Sequence, residues 1–281
     1  MAKILIVGAA SGIGSSVAAS LLQNTPHSIV TVDDLRVEPN LNNMQFAMSH
    51  KRGDRHRFHL TSVNDSHISS KLFEIERPDY VIFCKTPESL AYHQSLVKII
   101  QCASRTKTKV LYINQDSWSC SRNESYKYGV EICRSDSNKD VVCILNTCRI
   151  YGPRQEIGDP IVSIMSKIID HEPSRVESSS DRPKEWIYIK DLLSAIERII
   201  QSESVCGEYS AASNQVASEH EIIMCLKMIS EGRDFDFNQN CDYVPQDCRR
   251  LRSVGWEPKY ALREALEHTL AWYSVNRWAA A

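Results

Sequence analysis

The 281-residue chain contains no long hydrophobic run: no apolar stretch approaches the ~20 residues that a bilayer-crossing helix requires, which excludes a spanning helix. It has no surplus of charge either. Its 33 Lys+Arg against 35 Asp+Glu leave a formal net charge of −2, which excludes a polyanion binder held by bulk charge, so no nucleic-acid partner is expected. Glycine is scarce, with ten residues in all, and no segment is repeated or of low complexity; collagen-like, disordered and coiled-coil classes drop out. Ten cysteines are present, but none forms a CxxC pair and none joins a Cys/His cluster at zinc-ligand spacing. Reduced thiols in a cytoplasm are therefore expected rather than a secreted disulfide scaffold, and no metal is expected.

What is there is ordinary for a globular protein: 42% apolar and 24% charged residues, at a length that suits one large domain or a domain and a half. Short β-branched runs recur at Ile4–Val7, Ser28–Val32, Tyr80–Phe83, Val110–Ile113 and Val141–Leu145, each separated from the next by room for a helix. That alternation predicts an α/β fold with a doubly wound parallel sheet. Leu96, Val97, Ile100 and Ala103 keep the spacing of a crossover helix. From about Tyr151 the texture changes to longer helices. Ile161, Ile164, Met165, Ile168 and Ile169 form one apolar face; Leu192, Ala195, Ile196, Ile199 and Ile200 form a second behind an expected Asp191 N-cap; Leu262, Ala265, Leu266 and Leu270 form a third. Pro173–Pro183 reads as a surface loop.

Three of the ten glycines, Gly8, Gly12 and Gly14, fall directly after the first strand candidate and open a helix pattern. This makes the opening apolar stretch a strand rather than a secretory leader. In Gly8-Ala9-Ala10-Ser11-Gly12-Ile13-Gly14, glycine permits a tight turn and lets backbone N–H groups approach a pyrophosphate at the helix N-terminus. The second strand candidate ends at Asp33, about 20 residues on, where a carboxylate can accept bonds from an adenosine ribose. A dinucleotide site follows. Asp33 and Asp34 would repel a 2′-phosphate and favour NAD, while nearby Arg36 leaves NADP open.

At this point the residues carry a resemblance: the chain resembles an extended short-chain dehydrogenase/reductase, the group of nucleotide-sugar epimerases and dehydratases, and within it the dTDP-glucose 4,6-dehydratase branch. The likeness rests on Val32-Asp33-Asp34-Leu35 with Asn40-Leu41, Tyr151-Gly152-Pro153-Arg154-Gln155, Glu185-Trp186-Ile187-Tyr188-Ile189-Lys190-Asp191, Gly255-Trp256-Glu257-Pro258, and Thr269-Leu270-Ala271-Trp272-Tyr273, all in one order. It implies a Rossmann-type dinucleotide-binding domain over 1–152, to which 184–212 return, and a small, mostly helical substrate-binding region over 153–183 and 213–281. It also implies an NAD-type cofactor, a nucleotide-sugar ligand, and a homodimer built on paired helices, with Leu96, Val97 and Ile100 among the contacts.

The departures from that pattern are specific. The glycine spacing is GxxxGxG, which puts Ser11 at the middle glycine of the branch's usual GxxGxxG. Ser62-Val63-Asn64-Asp65 stands where the family usually has an adenine-contacting Asp, so Ser62 and Val63 become the cofactor candidates there. Cys84 and Lys85 replace the small apolar residues usual beside the cofactor, and Lys85 either contacts a phosphate or obstructs the site.

The family's proton-transfer pair, a Tyr four residues before a Lys, is absent. By register Lys127 is the conventional lysine and Asn123 occupies the tyrosine position, where it cannot shuttle a proton. Upstream, Gln115, Asp116 and Ser117 stand at the branch's Thr-Asp-Glu, so Asp116 keeps the acid. Tyr126 and Tyr128 are the tyrosines that could stand in. For a substrate diphosphate the resemblance implicates Arg154, Lys184 and Arg249 or Arg250, with Lys184 in place of an arginine and hence without the bidentate fork. His56 and His59 lack a third ligand, and the basic run Lys51–Arg57 reads as a solvated loop. Three functions stay open: a sugar-nucleotide enzyme with rearranged acid/base residues, a dinucleotide-binding regulator, and a structural subunit that kept only the fold.

Overall fold

A computed structural model describes residues 1–35, 43, 55–85, 90–115, 124–155, 159–172, 182–202, 205–237 and 243–277, with residues 90, 91 and 124–126 described by backbone alone. The chain divides into two compact units, one formed by Met1–Asn146 with Ile196–Tyr209, the other by Thr147–Ala195 with Ser210–Ala281.

The first unit is built on strands β1 (Lys3–Val7), β2 (Ser28–Asp33), β3 (His56–Leu60), β4 (Tyr80–Phe83), β5 (Lys109–Gln115) and β6 (Val142–Thr147), joined at the edge by β9 (Gly207–Ala211). Their order is β3-β2-β1-β4-β5-β6-β9, and the pairings from β3 to β5 are parallel. The order reverses between β1 and β4, the switch point at which open α/β sheets form a crevice beyond their strand ends. Ile4, Leu5, Ile6 and Val7 are all buried, because a strand covered by helices on both faces reads as a continuous apolar run. Helices α1 (Gly12–Asn24), α2 (Ser66–Glu76), α3 (Leu90–Thr106) and α4 (Glu124–Arg134) alternate with the strands.

Leu96 and Ile100 of α3 are core residues packed with Leu5, Val81 and Phe83, so they cannot be the expected dimer contacts. Only Val97 of that trio is partly exposed. The helical spacing had two readings, sheet-facing and partner-facing, and the sheet takes it.

The basic run before β3 is partly absorbed by the fold. Arg55 donates to the carbonyls of Leu22, Thr25 and His27 at 2.6–2.8 Å, where a cation satisfies the acceptors left over at the end of α1. Arg57 and His59 reach Glu76, whose buried carboxylate also pairs with Lys3 at the start of β1. Glu76 thus ties β1, β3 and the end of α2 together.

The second unit holds a three-stranded sheet in the order β10-β8-β7, from β7 (Arg149–Tyr151), β8 (Lys184–Tyr188) and β10 (Gln215–Ala217), with helices α5 (Pro160–Ile169), α6 (Ile189–Gln201, begun here), α7 (Glu219–Ser230), α8 (Arg249–Ser253) and α9 (Leu262–Val275). Trp186 is fully buried and donates its indole N–H to the Ala217 carbonyl at 2.8 Å across the β8–β10 pair. Asp191 is not the N-cap of α6, which begins two residues earlier. Its carboxylate instead accepts the N–H groups of Lys259 and Tyr260 at 2.9 and 3.3 Å, while the Trp256 indole donates to its carbonyl at 3.1 Å. Burial raises the Asp191 carboxyl above its ordinary range, and those two N–H bonds oppose the rise.

Among the described residues no helix is long and apolar enough to cross a membrane, no group of three or more His, Cys, Asp and Glu could hold a metal, and no disulfide forms.

Glu76 yields a prediction. Burial opposes its ionisation, but the bond from His59 and the charges of Arg57 and Lys3 outweigh burial, and its pKa falls below the usual carboxylate value. A depressed folded-state pKa means that ionised Glu76 stabilises the fold above the unfolded value of about 4.3, and that this contribution is lost as pH falls through the lower folded value. Urea unfolding should show Glu76→Gln to be less stable at neutral pH by about 1–3 kcal/mol, with the gap closing toward acid pH. A gap that stays constant down to pH 3 would contradict this role.

Candidate functional site

The turn after β1 is shaped by three contacts. Gly8 has a left-handed φ of 85°, and a Cβ there would lie 2.7 Å from both the backbone N and the Cα of Lys85, so only glycine lets the turn lie against the end of β4. A Cβ on Gly14 would meet the Gly8 carbonyl oxygen at 2.1 Å, so the first turn of α1 approaches the strand end more closely than any side chain permits. Ser11 supplies the third contact. It caps α1 by accepting the Gly14 N–H at 3.0 Å and donates its own hydroxyl to the Gly8 carbonyl at 2.8 Å. A serine at the position of the branch's middle glycine is therefore a capping residue. The cap leaves the N–H groups of Gly12 and Ile13 without an acceptor among the described residues, at the positive end of the α1 dipole.

Asp33 fixes the turn from the neighbouring strand. Its Oδ2 accepts the Ala10 N–H at 2.9 Å, and its Oδ1 accepts that of Leu35 at 2.8 Å. Each oxygen keeps a further lone pair for another donor. The Gly8 N–H donates to the Val32 carbonyl at 3.1 Å, and the Thr61 N–H to the Asp33 carbonyl at 3.0 Å, so the ends of β1, β2 and β3 are stitched side by side.

Between these ends lies an open cleft of about 190 Å³, lined by Val7, Gly8, Val32, Asp33, Asp34, Thr61, Val63 and Lys85. Its charged groups are an acid fixed by backbone bonds, a second acid and a lysine. Lys85 Nζ lies 3.3 Å from Asp34 Oδ2, with the two side chains 14% and 7% exposed.

Of the cofactor candidates, Gly8, Asp33, Asp34, Val63 and Lys85 line the cleft, and Ser11, Gly12, Ile13 and Gly14 form the adjoining helix start. Ser62 lies beside the cleft without lining it; its hydroxyl accepts the Asn64 N–H at 3.4 Å. Asp65 is consumed as the N-cap of α2, accepting the His67 and Ile68 N–H groups. Cys84 is buried under the turn, where its N–H donates to Val7 and its carbonyl accepts the Ser11 hydroxyl; burial pushes its thiol pKa far up, so it is inert packing. Thr61 escaped the sequence reading although it lines the cleft. The signal was its place directly after β3, one residue past Leu60, which pairs with Asp33.

Asp116, Asn123 and Arg36 lie outside the described residues, as does the side chain of Tyr126. Lys127 is exposed on α4. Tyr128 is half exposed, and its ring meets His93 of α3 edge-on at 5.0 Å, which commits it to the seam between these helices.

The substrate candidates belong to the second unit. Lys184 is buried and bonded to Glu219 at 2.7 Å. Arg149, which sequence reasoning missed, reaches the same Glu219 at 3.5 Å and Asp159 at 3.3 Å, with its guanidinium 5.2 Å from the centre of the Trp186 ring. Two cations and two acids thus neutralise one another in a half-buried network. Burial raises the Asp159 carboxyl, against the pull of Arg149. Arg154 follows Gly152 and Pro153 in a left-handed conformation, φ 65°, and burial lowers its guanidinium to about 10. Arg249 is exposed and grips its own neighbour Asp247 at 2.6 Å.

Residues 4–111 match the family model described as the NAD dependent epimerase/dehydratase family. Human dTDP-D-glucose 4,6-dehydratase is 20% identical, the match covering 98% of this chain and 90% of the human protein. Among solved structures, dTDP-glucose 4,6-dehydratase from Bacillus anthracis in complex with NAD superposes with a TM-score of 0.84 at 17% identity, covering 99% of this chain and 98% of that one. UDP-glucose 4-epimerase from Thermotoga maritima with UDP-glucose gives 0.76 at 16%, covering 98% and 99%. These likenesses carry the fold.

The cradle generates its own prediction. Because a Cβ at Gly14 meets backbone rather than a movable side chain, Gly14→Ala should lower stability by about 1–3 kcal/mol in thermal or urea unfolding. A wild-type transition in that variant would show that the helix start can move away from Gly8.

Proposed function

We propose, for a chain whose residues 4–111 match the NAD dependent epimerase/dehydratase family model, that the cradle binds NAD and that the protein acts on a nucleotide sugar with acid/base residues different from the family's usual set. The observation that carries this reading is the closure of the turn. Gly8 and Gly14 let the turn close against the Lys85 backbone and against itself, Gly12 and Ile13 present N–H groups, and Asp33 is held in place with lone pairs to spare. When bound, NAD supplies a hydride acceptor. The helix start would hold the pyrophosphate and Asp33 the adenosine ribose, while Val7, Val32 and Val63 give the cleft apolar walls. Asp116 and Lys127 are the acid/base residues of this reading, with Arg154, Lys184 and Arg249 on the diphosphate.

A second reading, a dinucleotide-binding member without turnover, is favoured by two commitments. Tyr128 rests its ring against His93, and Lys184 is bonded to Glu219, so Lys184 is not released for a diphosphate without breaking an existing bond.

Calorimetric titration with NAD separates these from a purely structural role. The wild type should bind at micromolar level, and Gly12→Asp, which sets a carboxylate at the helix start, should lose about tenfold or more. Absence of NAD binding by the wild type would overturn the proposal. With binding established, turnover of dTDP- or UDP-glucose that Asp116→Asn abolishes supports the enzyme; binding with no turnover of either supports the silent member.

A further inference from the structure

Lys85 is the lone cation among the residues lining the cleft, and it comes with a partner already in place. Its backbone is fixed, because the Cα and N of Lys85 form the wall against which Gly8 closes. Its ammonium is fixed as well, 3.3–3.5 Å from both oxygens of Asp34, with both side chains largely shielded from water. Asp33 is the structural acid, each of its oxygens already holding a backbone N–H, whereas Asp34 turns toward the lysine. Two carboxylates and one ammonium therefore meet at the end of the cleft where β2 stops.

We infer that the Asp34–Lys85 pair sets the cofactor specificity of this cleft: Asp34 occupies the one ammonium that a 2′-phosphate would require, and Lys85 is a latent phosphate partner held out of use. The inference rests on the reading of the cleft as the adenosine end of a dinucleotide site. A ribose diol needs acceptors, which Asp33 provides, and asks nothing of Lys85. A 2′-phosphate brings close to two negative charges against Asp33, Asp34 and Lys85, which sum to −1 among the described residues of the site, and it finds that lysine taken; like-charge contact of this kind discriminates strongly. Neutralising Asp34 changes both conditions together. The charges of Asp33 and Lys85 then cancel, and a lysine on a flexible four-carbon stem is free to turn to a phosphate as a point charge. Asp34 is in this account a positioning residue that acts through Lys85.

The test is calorimetric titration of NAD and NADP into the wild type, Asp34→Asn, Lys85→Met and the double variant, each first shown to unfold cooperatively. The wild type should prefer NAD. Asp34→Asn should improve NADP relative to NAD by about tenfold or more, and adding Lys85→Met should cancel that gain. Lys85→Met alone removes the ammonium paired with Asp34, so it should weaken NADP more than NAD, a readout that stands even where the asparagine variant fails to fold. An NADP/NAD ratio unmoved by Asp34→Asn, or a gain that survives removal of Lys85, would overturn the inference while leaving NAD binding intact. Binding of neither dinucleotide to any variant would overturn the reading of the cleft together with it.

Discussion

The close approach of the β1 turn to its neighbours is the constraint on which the first unit's site depends. A carbonyl oxygen at Gly8 sits where the Cβ of any other residue at position 14 would be, and the Lys85 backbone sits where a side chain at position 8 would be. Those two contacts bring the start of α1 and the ends of β1 and β4 together at the switch point of the sheet. Asp33 then reaches across from β2 to hold the Ala10 N–H. Each element contributes little alone. Together they place N–H donors, fixed acids and an apolar floor around one small cleft.

The second unit is organised by another principle, internal neutralisation. Motifs that lie far apart in sequence meet there: the Asp191 carboxylate holds the backbone at Lys259 and Tyr260, the Trp256 indole returns to the Asp191 carbonyl, and buried Glu185 accepts the N–H groups of Asn214 and Gln246. In the 185–191 segment, which looked like a functional signature, Glu185 and Asp191 are structural acceptors for backbone donors, and in the 255–258 segment the Trp256 indole is a structural donor. Arg149, Lys184, Asp159 and Glu219 form the charged counterpart, in which each cation has an acid.

Much of this was legible in the sequence. The five strand candidates of the first unit, the glycine turn and the acid at the end of β2 followed from periodicity and spacing, because a sheet covered on both faces imposes continuous apolar runs and a close turn imposes glycine. What escaped was pairing. Nothing in the residue order says that Lys85 meets Asp34, that Lys184 meets Glu219, or that Arg55 caps α1 from thirty residues away. The same ambiguity misassigned Leu96 and Ile100, since helical spacing marks an apolar face without saying what covers it. Asp191 shows the limit at single residues: an acid before an apolar helix face resembles a cap, and its true partners lie nearly seventy positions downstream.

The central claim is that the β1 turn and the ends of β2 and β3 form one ligand-holding surface. Amide hydrogen exchange with and without saturating NAD tests it most directly. Slower exchange at the Ala10–Gly14 and Leu35 amides and around Thr61–Val63, with the Trp186 region of the second sheet unchanged by comparison, is the predicted result. Binding accompanied by no protection at the turn would contradict the account, because the ligand would then be held elsewhere.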